Sequence, residues 1–251
     1  SKYIKYNDIH INALQLDLKS NDAFLTSILN FSSDSIFVKN MDFTSSDGKL
    51  IIKNNLLDDA KLNIYKNKSS CQVSLKKYKN FTDIEFNGTI NLIDYILPFE
   101  VINMYKNSIS GISYFNFSRK NKTMKLDLIS KLTKSHIDKY ILDELIDTST
   151  LTLVGNHLSG TSKGFLRNLS SELYDWEIID YNGKIIDNLL SNLSLKGKSN
   201  VNDSFNIIAK RTNNIMHFTH LSGILKQSSF TAEPFNIIID KNSYSSKMKI
   251  K

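Results

Sequence analysis

Proline and glycine are scarce in this sequence, which has only two prolines and nine glycines among 251 residues. Sharp turns rely on these two residue types, so long strands with polar links fit the composition better than a tightly wound α/β fold. Cysteine is scarcer still, and the single Cys71 excludes an internal disulfide. No apolar run approaches the roughly 18 residues of a membrane-spanning helix, and the first residues do not resemble a signal peptide.

Charge is unbalanced towards lysine and arginine, with a formal net charge of +7 and a pI near 9.2. Such a surface is compatible with nucleic acid or an anionic membrane as a partner. The basic residues are scattered along the chain, however, and neither an aromatic RNA-binding motif nor a zinc-ligand spacing accompanies them. The distribution therefore favours a solvated lysine-rich surface, and we expect no nucleic-acid partner.

The dominant pattern is an alternation of apolar and polar residues, as in Met124-x-Leu126-x-Leu128 and Phe235-x-Ile237-x-Ile239. A period of two places alternate side chains on opposite sides of a strand, so each such segment has one apolar and one polar face. Consecutive strands with short polar links predict antiparallel pairing. The apolar faces either pack together as a closed sandwich or stay open as the wall of a groove.

Helical spacing is confined to a few short segments. Three amphipathic helices are predicted, with apolar faces made by Ile137, Tyr140, Ile141 and Leu145 after a Ser135 cap, by Phe165, Leu166, Leu169 and Leu173, and by Ile185, Ile186, Leu189 and Leu190. Two weaker helices are predicted over 22–30 and 98–107, and Asp47-Gly48 is predicted as a tight turn between strands. The expected fold is mainly β with a few short helices: a long, curved antiparallel sheet forming an open β-groove, with the helices capping one side.

One motif points towards catalysis. Gly160-Thr161-Ser162-Lys163-Gly164 satisfies G-x-S-x-G, and acidic residues and histidines follow it in the chain order of a serine hydrolase. The flanking sequence lacks the alternating βαβ pattern and the oxyanion loop of that class, so a hydrolase is the least favoured function. We expect instead that Thr161 or Ser162 caps the second helix, and we predict no catalytic residues.

Neither a metal site nor a catalytic carboxylate pair is expected. His217 and His220 are three apart in a predicted strand, so their rings are expected on opposite faces, and no third ligand accompanies them. Asp143, Glu144 and Asp147 are predicted to form the solvated face of the first helix. The sequence therefore predicts no bound metal and no cofactor.

Small-residue patterns recur in the last hundred residues: the Leu-Ser-Gly-Thr-Ser-Lys-Gly stretch at 158–164 with the segments 165–169 and 176–179, the glycine and isoleucine-aspartate pair in 183–190, and the strand entry at 217–223. From about residue 150 onward this order resembles the C-terminal region of AsmA-like proteins, the bacterial envelope family that includes the TamB-like translocation and assembly proteins. Residues 86–92 and 111–115 look like the same family's repeated strand openings.

The resemblance implies a periplasmic β-groove, anchored in the inner membrane by an N-terminal helix, whose interior holds lipid acyl chains on their way to the outer membrane. On this interpretation 1–133 is a β-rich groove segment, 134–251 is the AsmA-like region, and the chain is part of a longer protein. Implied partners are phospholipid or another envelope lipid, the membrane through the anchor, and other envelope proteins. The residues predicted to line the groove are Ile84, Phe86, Ile90, Leu92, Leu126, Leu128, Leu151, Leu153, Phe205, Ile207, Phe235 and Ile237.

A function from another class fits the same alternation. In a β-rich surface or adhesion module, the polar faces and loops would recognise the partner and the apolar faces would only form a core. The leading hypothesis is the non-enzymatic lipid-holding segment, with the adhesion module as the alternative.

Overall fold

The computed structural model describes residues 3–6, 9–21, 25–38, 41–54, 56–80, 82–96, 108–137, 139–172, 174–240, 243–246 and 248–251. Within these ranges the chain forms 21 β-strands and no helix. It divides into two compact units, with the division between Lys125 and Leu126. The prediction of a mainly β, antiparallel protein is confirmed, and the prediction of helices is wrong wherever the described residues test it.

Unit 1 contains two antiparallel sheets. Its strands are β1 (Tyr3–Tyr6), β2 (Ile9–Asn12), β3 (Gln15–Ser20), β4 (Thr26–Ser33), β5 (Ser35–Val38), β6 (Met41–Phe43), β7 (Ser45–Lys53), β8 (Leu56–Lys66), β9 (Ser69–Asn80), β10 (Asp83–Ile96) and β11 (Ser108–Lys120). Strands β1, β2, β5 and β6 form the smaller sheet, and the order β3-β4-β7-β8-β9-β10-β11 forms the larger one. The division between the units falls inside β12 (Thr123–Ile137).

Unit 2 is a succession of long antiparallel hairpins. Its strands are β13 (Tyr140–Val154), β14 (His157–Ser170), β15 (Asp175–Ile186), β16 (Leu189–Ser199), β17 (Ser204–Thr212), β18 (Ile215–Leu225), β19 (Ser228–Ala232), β20 (Phe235–Asp240) and β21 (Ser243–Ser246). Each strand from β13 to β18 pairs with the next, β18 pairs with both β19 and β20, and β20 pairs with β21.

The predicted helices over 165–173 and 185–190 are strands because hairpins and bulges imitate helical spacing. Asp187 and Asn188 both have positive φ, 49° and 65°, which is the geometry of a two-residue hairpin turn. The apolar residues on either side of that turn therefore face each other across β15 and β16. In β14, Asn168 has a positive φ of 48°, which interrupts the alternation of sides. Leu166 and Leu169 are three residues apart and therefore lie on the same side of the sheet, as they would on one face of a helix. Leu173 lies outside the described residues.

The first predicted helix is likewise absent. Ile137 ends β12, whereas Tyr140, Ile141 and Leu145 belong to β13, so a chain reversal separates residues that were expected on one helical face. Ser135, the predicted cap, is a buried strand residue. Residues 26–30 of the weaker helix over 22–30 belong to β4, its residues 22–24 lie outside the described part of the chain, and the predicted helix over 98–107 lies outside it completely. No helix caps a sheet in the described residues.

The Asp47-Gly48 pair is not a turn. Both residues lie inside β7, and Gly48 is directly opposite Phe31 of β4 and Leu62 of β8. A Cβ atom on Gly48 would lie 2.3 Å from the Phe31 ring. The glycine is therefore explained by the ring that covers its backbone rather than by a chain reversal.

Candidate functional site

Four predicted groove residues lie on one side of unit 1. Ile84, Phe86, Ile90 and Leu92 alternate along β10, and residues directly opposite one another in antiparallel strands share a side of the sheet. Following the register across β3 to β11 gives one continuous set, which we call the unit 1 apolar face: Leu16, Leu18, Leu29, Phe31, Leu50, Leu62, Ile64, Cys71, Val73, Leu75, Ile84, Phe86, Ile90, Leu92, Phe115 and Phe117.

The other eight predicted residues share one side of unit 2. The register from β13 to β20 defines the unit 2 apolar face as Leu145, Leu151, Leu153, Leu158, Leu166, Ile179, Ile185, Leu190, Leu193, Leu195, Phe205, Ile207, Met216, Phe218, Leu221, Phe230, Phe235 and Ile237. Asp127 of β12 accepts a hydrogen bond of 2.8 Å from Thr150, which points to the opposite side of β13. Leu126 and Leu128 flank Asp127, so they lie on the apolar side.

These faces are only partly covered. All twelve predicted residues are half-buried, and the buried apolar residues among those described are only Leu142, Ala209, Met216 and Ala232. On the unit 1 face, Leu16 and Leu18 are 61% and 62% exposed. A closed core would bury large apolar side chains almost completely. Each face therefore leaves apolar surface available for contact, although the role of these residues in lining a lipid groove stays a prediction.

Two cavities lie along the unit 2 apolar face. The first, of about 320 Å³, is lined mainly by aliphatic side chains and is called here the leucine cavity; it includes Leu151, Leu166, Ile185, Leu193 and Leu195, with Ser162 and Tyr181. The second, of about 390 Å³, is called the aromatic cavity and is lined by Tyr140, Tyr174, Trp176 and Phe205 with Lys139 and Glu172. In unit 1 a smaller cavity of about 130 Å³ includes Ile64, Cys71, Ile90 and Leu92.

A polar cluster interrupts the unit 2 apolar face beside the leucine cavity. Asp147 is only 9% exposed. Its Oδ1 accepts hydrogen bonds from Ser162 Oγ at 2.7 Å and Tyr181 Oη at 2.5 Å, while its Oδ2 accepts one from Ser149 Oγ at 2.6 Å. Burial, followed by the hydrogen bond to Asp147, raises the pKa of Tyr181. The carboxylate is thus held by hydroxyl groups from three strands.

The sequence predicts a different environment for two members of this cluster. The sequence predicts Asp147 on a solvated helix face and Thr161 or Ser162 as a helix cap, whereas Asp147 is a buried strand residue and both Thr161 and Ser162 lie within β14. The G-x-S-x-G motif therefore does not adopt the sharp strand-to-helix turn that this motif forms in hydrolases. The alternation of the strand does indicate where Asp147 lies. Asp147 and Ser149 fall at alternate positions between Leu145 and Leu151, so all four side chains are expected on the same side of β13.

The two histidines depart from their predicted geometry. A register shift between Ile208 and Ala209 inserts an extra residue into β18, so His217 and His220 both lie on the polar side rather than on opposite faces. His217 Nδ1 lies 2.7 Å from Asn236 Oδ1, and His220 Nε2 lies 2.8 Å from Ser222 Oγ. Among the described residues no group of three or more histidine, cysteine or acidic side chains is arranged to hold a metal ion.

Glycines on the apolar faces lie beneath aromatic rings. Phe205 is directly opposite Gly197 on β16 and Gly223 on β18, and Phe230 also lies opposite Gly223. The same pairing occurs in unit 1 between Gly88 and Phe115. Because glycine leaves the backbone bare, the neighbouring ring can lie flat across it, and such pairs are a known device for fixing strand register.

Comparison with known proteins gives no match to a family model, to a curated protein or to a solved structure. In the part of the chain that the structure describes, no helix has the length and apolar character needed to cross a membrane.

Proposed function

We propose that this chain is a non-enzymatic segment that holds or conducts lipid acyl chains along its apolar faces, which stay open as a β-groove. The observation that carries the proposal is the incomplete burial of large apolar side chains that share one side of each unit. Each CH₂ group that leaves water on such a surface contributes about 0.8 kcal/mol, so an acyl chain gains affinity along its length without specific polar contacts.

The opposite side of unit 2 supports the same function. It carries Lys163, Lys184, Lys196 and Lys210 together with asparagine and threonine residues, which water solvates well, and a few exposed isoleucines such as Ile208 and Ile224 lie among them. A sheet with one solvated side and one apolar side can stand in an aqueous compartment while its apolar side is covered by lipid. The polar cluster around Asp147 is small, and its carboxylate oxygens already accept hydrogen bonds from neighbouring hydroxyl groups. Apolar side chains therefore continue on either side of the cluster.

The cellular setting is proposed from the resemblance to AsmA-like proteins. On that basis the chain acts in the periplasm as part of a longer protein anchored in the inner membrane, and it contributes to the supply of lipid for the outer membrane. Its partners are then phospholipid or another envelope lipid and neighbouring envelope proteins, with no cofactor required.

Lipid extraction with site-specific crosslinking tests the proposal. A photoreactive amino acid is placed at Leu126 or Ile207 on the apolar face, or at their sequence neighbours Asp127 and Ile208 on the polar side. Mass spectrometry of the purified chain is expected to detect bound lipid, and crosslinks to lipid are expected only from positions 126 and 207. Crosslinking from all four positions alike, or none from any, contradicts the proposal.

Charge substitution separates an open groove from a closed core. Ile207→Lys is expected to reduce lipid binding through the cost of placing a charge against acyl chains, while the fold survives because water can reach the site. The matched control Ile208→Lys, at a residue that is 42% exposed on the other side, is expected to leave lipid binding unchanged. Absence of lipid together with unfolding of Ile207→Lys would identify a closed core, as in the adhesion-module alternative.

A further inference from the structure

The aromatic cavity combines features that the leucine cavity lacks. Its lining includes the side chains of Tyr140, Tyr174, Trp176 and Phe205, together with one cationic and one anionic residue, Lys139 and Glu172. The Trp176 and Phe205 rings meet edge to face, with centroids 4.8 Å apart and planes at 81°. Tyr174 is 50% exposed, so one wall of the cavity is open to water.

Strand geometry explains how these rings converge. A register shift between Trp176 and Ile178 adds a residue to β15, so Trp176 and Ile179 lie on the same side although they are three apart. Phe205 reaches the cavity because its strand neighbours on both sides, Gly197 and Gly223, have no side chain. The aromatic wall is thus built by a bulge and two glycines.

The lining selects for a particular chemistry. The faces of tryptophan, tyrosine and phenylalanine attract cations, and ammonium groups are bound in this way in aromatic cages. Glu172 adds an opposite charge for such a group, and Lys139 provides a cation for a phosphate. The Lys139 Nζ atom lies 5.6 Å from the Tyr140 ring centroid, so the positive and aromatic parts of the lining are adjacent.

We infer that the aromatic cavity binds the head group of a phospholipid whose phosphate carries an ammonium group. The ammonium group lies against the aromatic rings and Glu172, and the phosphate lies near Lys139. This inference rests on the proposed function, because it assigns the head-group position for a lipid whose acyl chains occupy the same face.

Continuity with the leucine cavity supports this placement. Ile179 lines the aromatic cavity and is directly opposite Leu166, which lines the leucine cavity. Tyr181, two residues further along β15 on the same side, lines the leucine cavity as well. An acyl chain that leaves the aromatic cavity past Ile179 therefore reaches the leucine cavity on the same face, and on the way it passes the hydrogen-bonded hydroxyl of Tyr181.

The experiment uses the chain's single tryptophan, Trp176, as the reporter. Short-chain phosphatidylcholine or phosphatidylethanolamine is titrated against phosphatidylglycerol with identical acyl chains, below the concentrations at which they form micelles. The ammonium-bearing lipids are expected to shift Trp176 emission to the blue and to bind about tenfold more tightly, which corresponds to one favourable cation–aromatic site. Glu172→Gln and Tyr174→Ala are each expected to remove most of that preference.

Glu177→Gln is the matched control, since Glu177 is an exposed residue of the same strand as Trp176 but does not line the cavity. It is expected to keep the full preference. Lipids that bind equally whatever their head group, with no response of Trp176, overturn the head-group inference and leave the proposed function standing. No binding of any lipid by the wild-type chain overturns both.

Discussion

The ring of Phe205 lies across the backbone of Gly197 on the neighbouring strand. A Cβ atom on Gly197 would lie 2.2 Å from Phe205 Cε1, well inside van der Waals contact. Phe205 also contacts Trp176, so this one close approach positions both walls of the aromatic cavity. The packing of Phe205 and the candidate head-group site therefore depend on the same glycine.

Gly197→Ala is expected to lower the free energy of unfolding by about 1–3 kcal/mol, because the added methyl group forces the Phe205 ring to move. Urea denaturation measures the change, and Trp176 fluorescence reports the displaced ring. Gly183→Ala is the control, since the nearest atom to its Cβ is Leu190 Cδ1 at an ordinary 3.7 Å. It is expected to be neutral or slightly stabilising. Equal losses at both glycines would show that Phe205 does not constrain Gly197.

The Asp147 cluster gives a second prediction. Asp147→Ala is expected to cost about 1–3 kcal/mol, because it leaves the hydroxyl groups of Ser149, Ser162 and Tyr181 without their acceptor. Ser162→Ala alone is expected to cost about 1 kcal/mol. The two costs are expected to be less than additive in the double variant, because both substitutions remove the same hydrogen bond.

Asp180→Ala, at an exposed carboxylate on the polar side of β15, is the control for the loss of negative charge and is expected to be neutral. Additive losses at Asp147 and Ser162 in chemical denaturation would contradict the hydrogen-bonded cluster.

The sequence predicts that the chain is mainly strand and which residues of a strand share one side of the sheet, because the alternation of apolar and polar residues can be read from each segment alone. Ile84 to Leu92 and Phe205 to Ile207 keep their period, and the structure places them on one side of their sheets. The helices were predicted wrongly because periodicity does not distinguish one helical face from two strands joined by a short turn, as at Asp187 and Asn188.

The candidate site could be predicted only in part. Apolar lining follows from alternation, but the Asp147 cluster joins residues 15 and 34 positions apart in sequence through the register of three strands. The aromatic cavity depends on a bulge near Trp176, and nothing in the local sequence marks a bulge of this kind. Long-range register is what the sequence pattern alone leaves open.

Tyr181 predicts a pH dependence of stability. Burial and the hydrogen bond to Asp147 raise the folded-state pKa of Tyr181 above the value of 10 that tyrosine has in the unfolded chain. The stabilisation from this group is therefore fully present below pH 10 and is lost as the pH rises from there towards the folded-state pKa. Urea unfolding at a series of pH values from 9 to about 11 is expected to show a steeper loss for the wild-type chain than for Tyr181→Phe.

Tyr114→Phe, at a tyrosine that is 54% exposed in unit 1, provides the comparison and is expected to keep the wild-type slope. If Tyr181→Phe lost stability with pH as steeply as the wild-type chain does, the alkaline sensitivity would have another origin.

The single cysteine allows a test of the unit 1 apolar face without an introduced residue. Cys71 lies between Ile64 and Ile90 on that face, and burial raises the pKa of its thiol. The thiolate is the nucleophile that reacts with thiol reagents, so a water-soluble charged reagent is expected to label Cys71 more slowly than it labels the unfolded chain. Short-chain phospholipid is expected to slow the labelling further, because acyl chains on the face exclude the reagent.

Gln72 offers the matched control, since it is exposed on the opposite side of β9. The double variant Cys71→Ser with Gln72→Cys moves the thiol by one residue and reverses its side. Its labelling is expected to be faster than that of Cys71 and to be unaffected by lipid. Protection of both thiols by lipid would point to general adsorption, and protection of neither would remove unit 1 from the lipid-holding surface. Protection of Cys71 alone would show that lipid covers one side of this sheet.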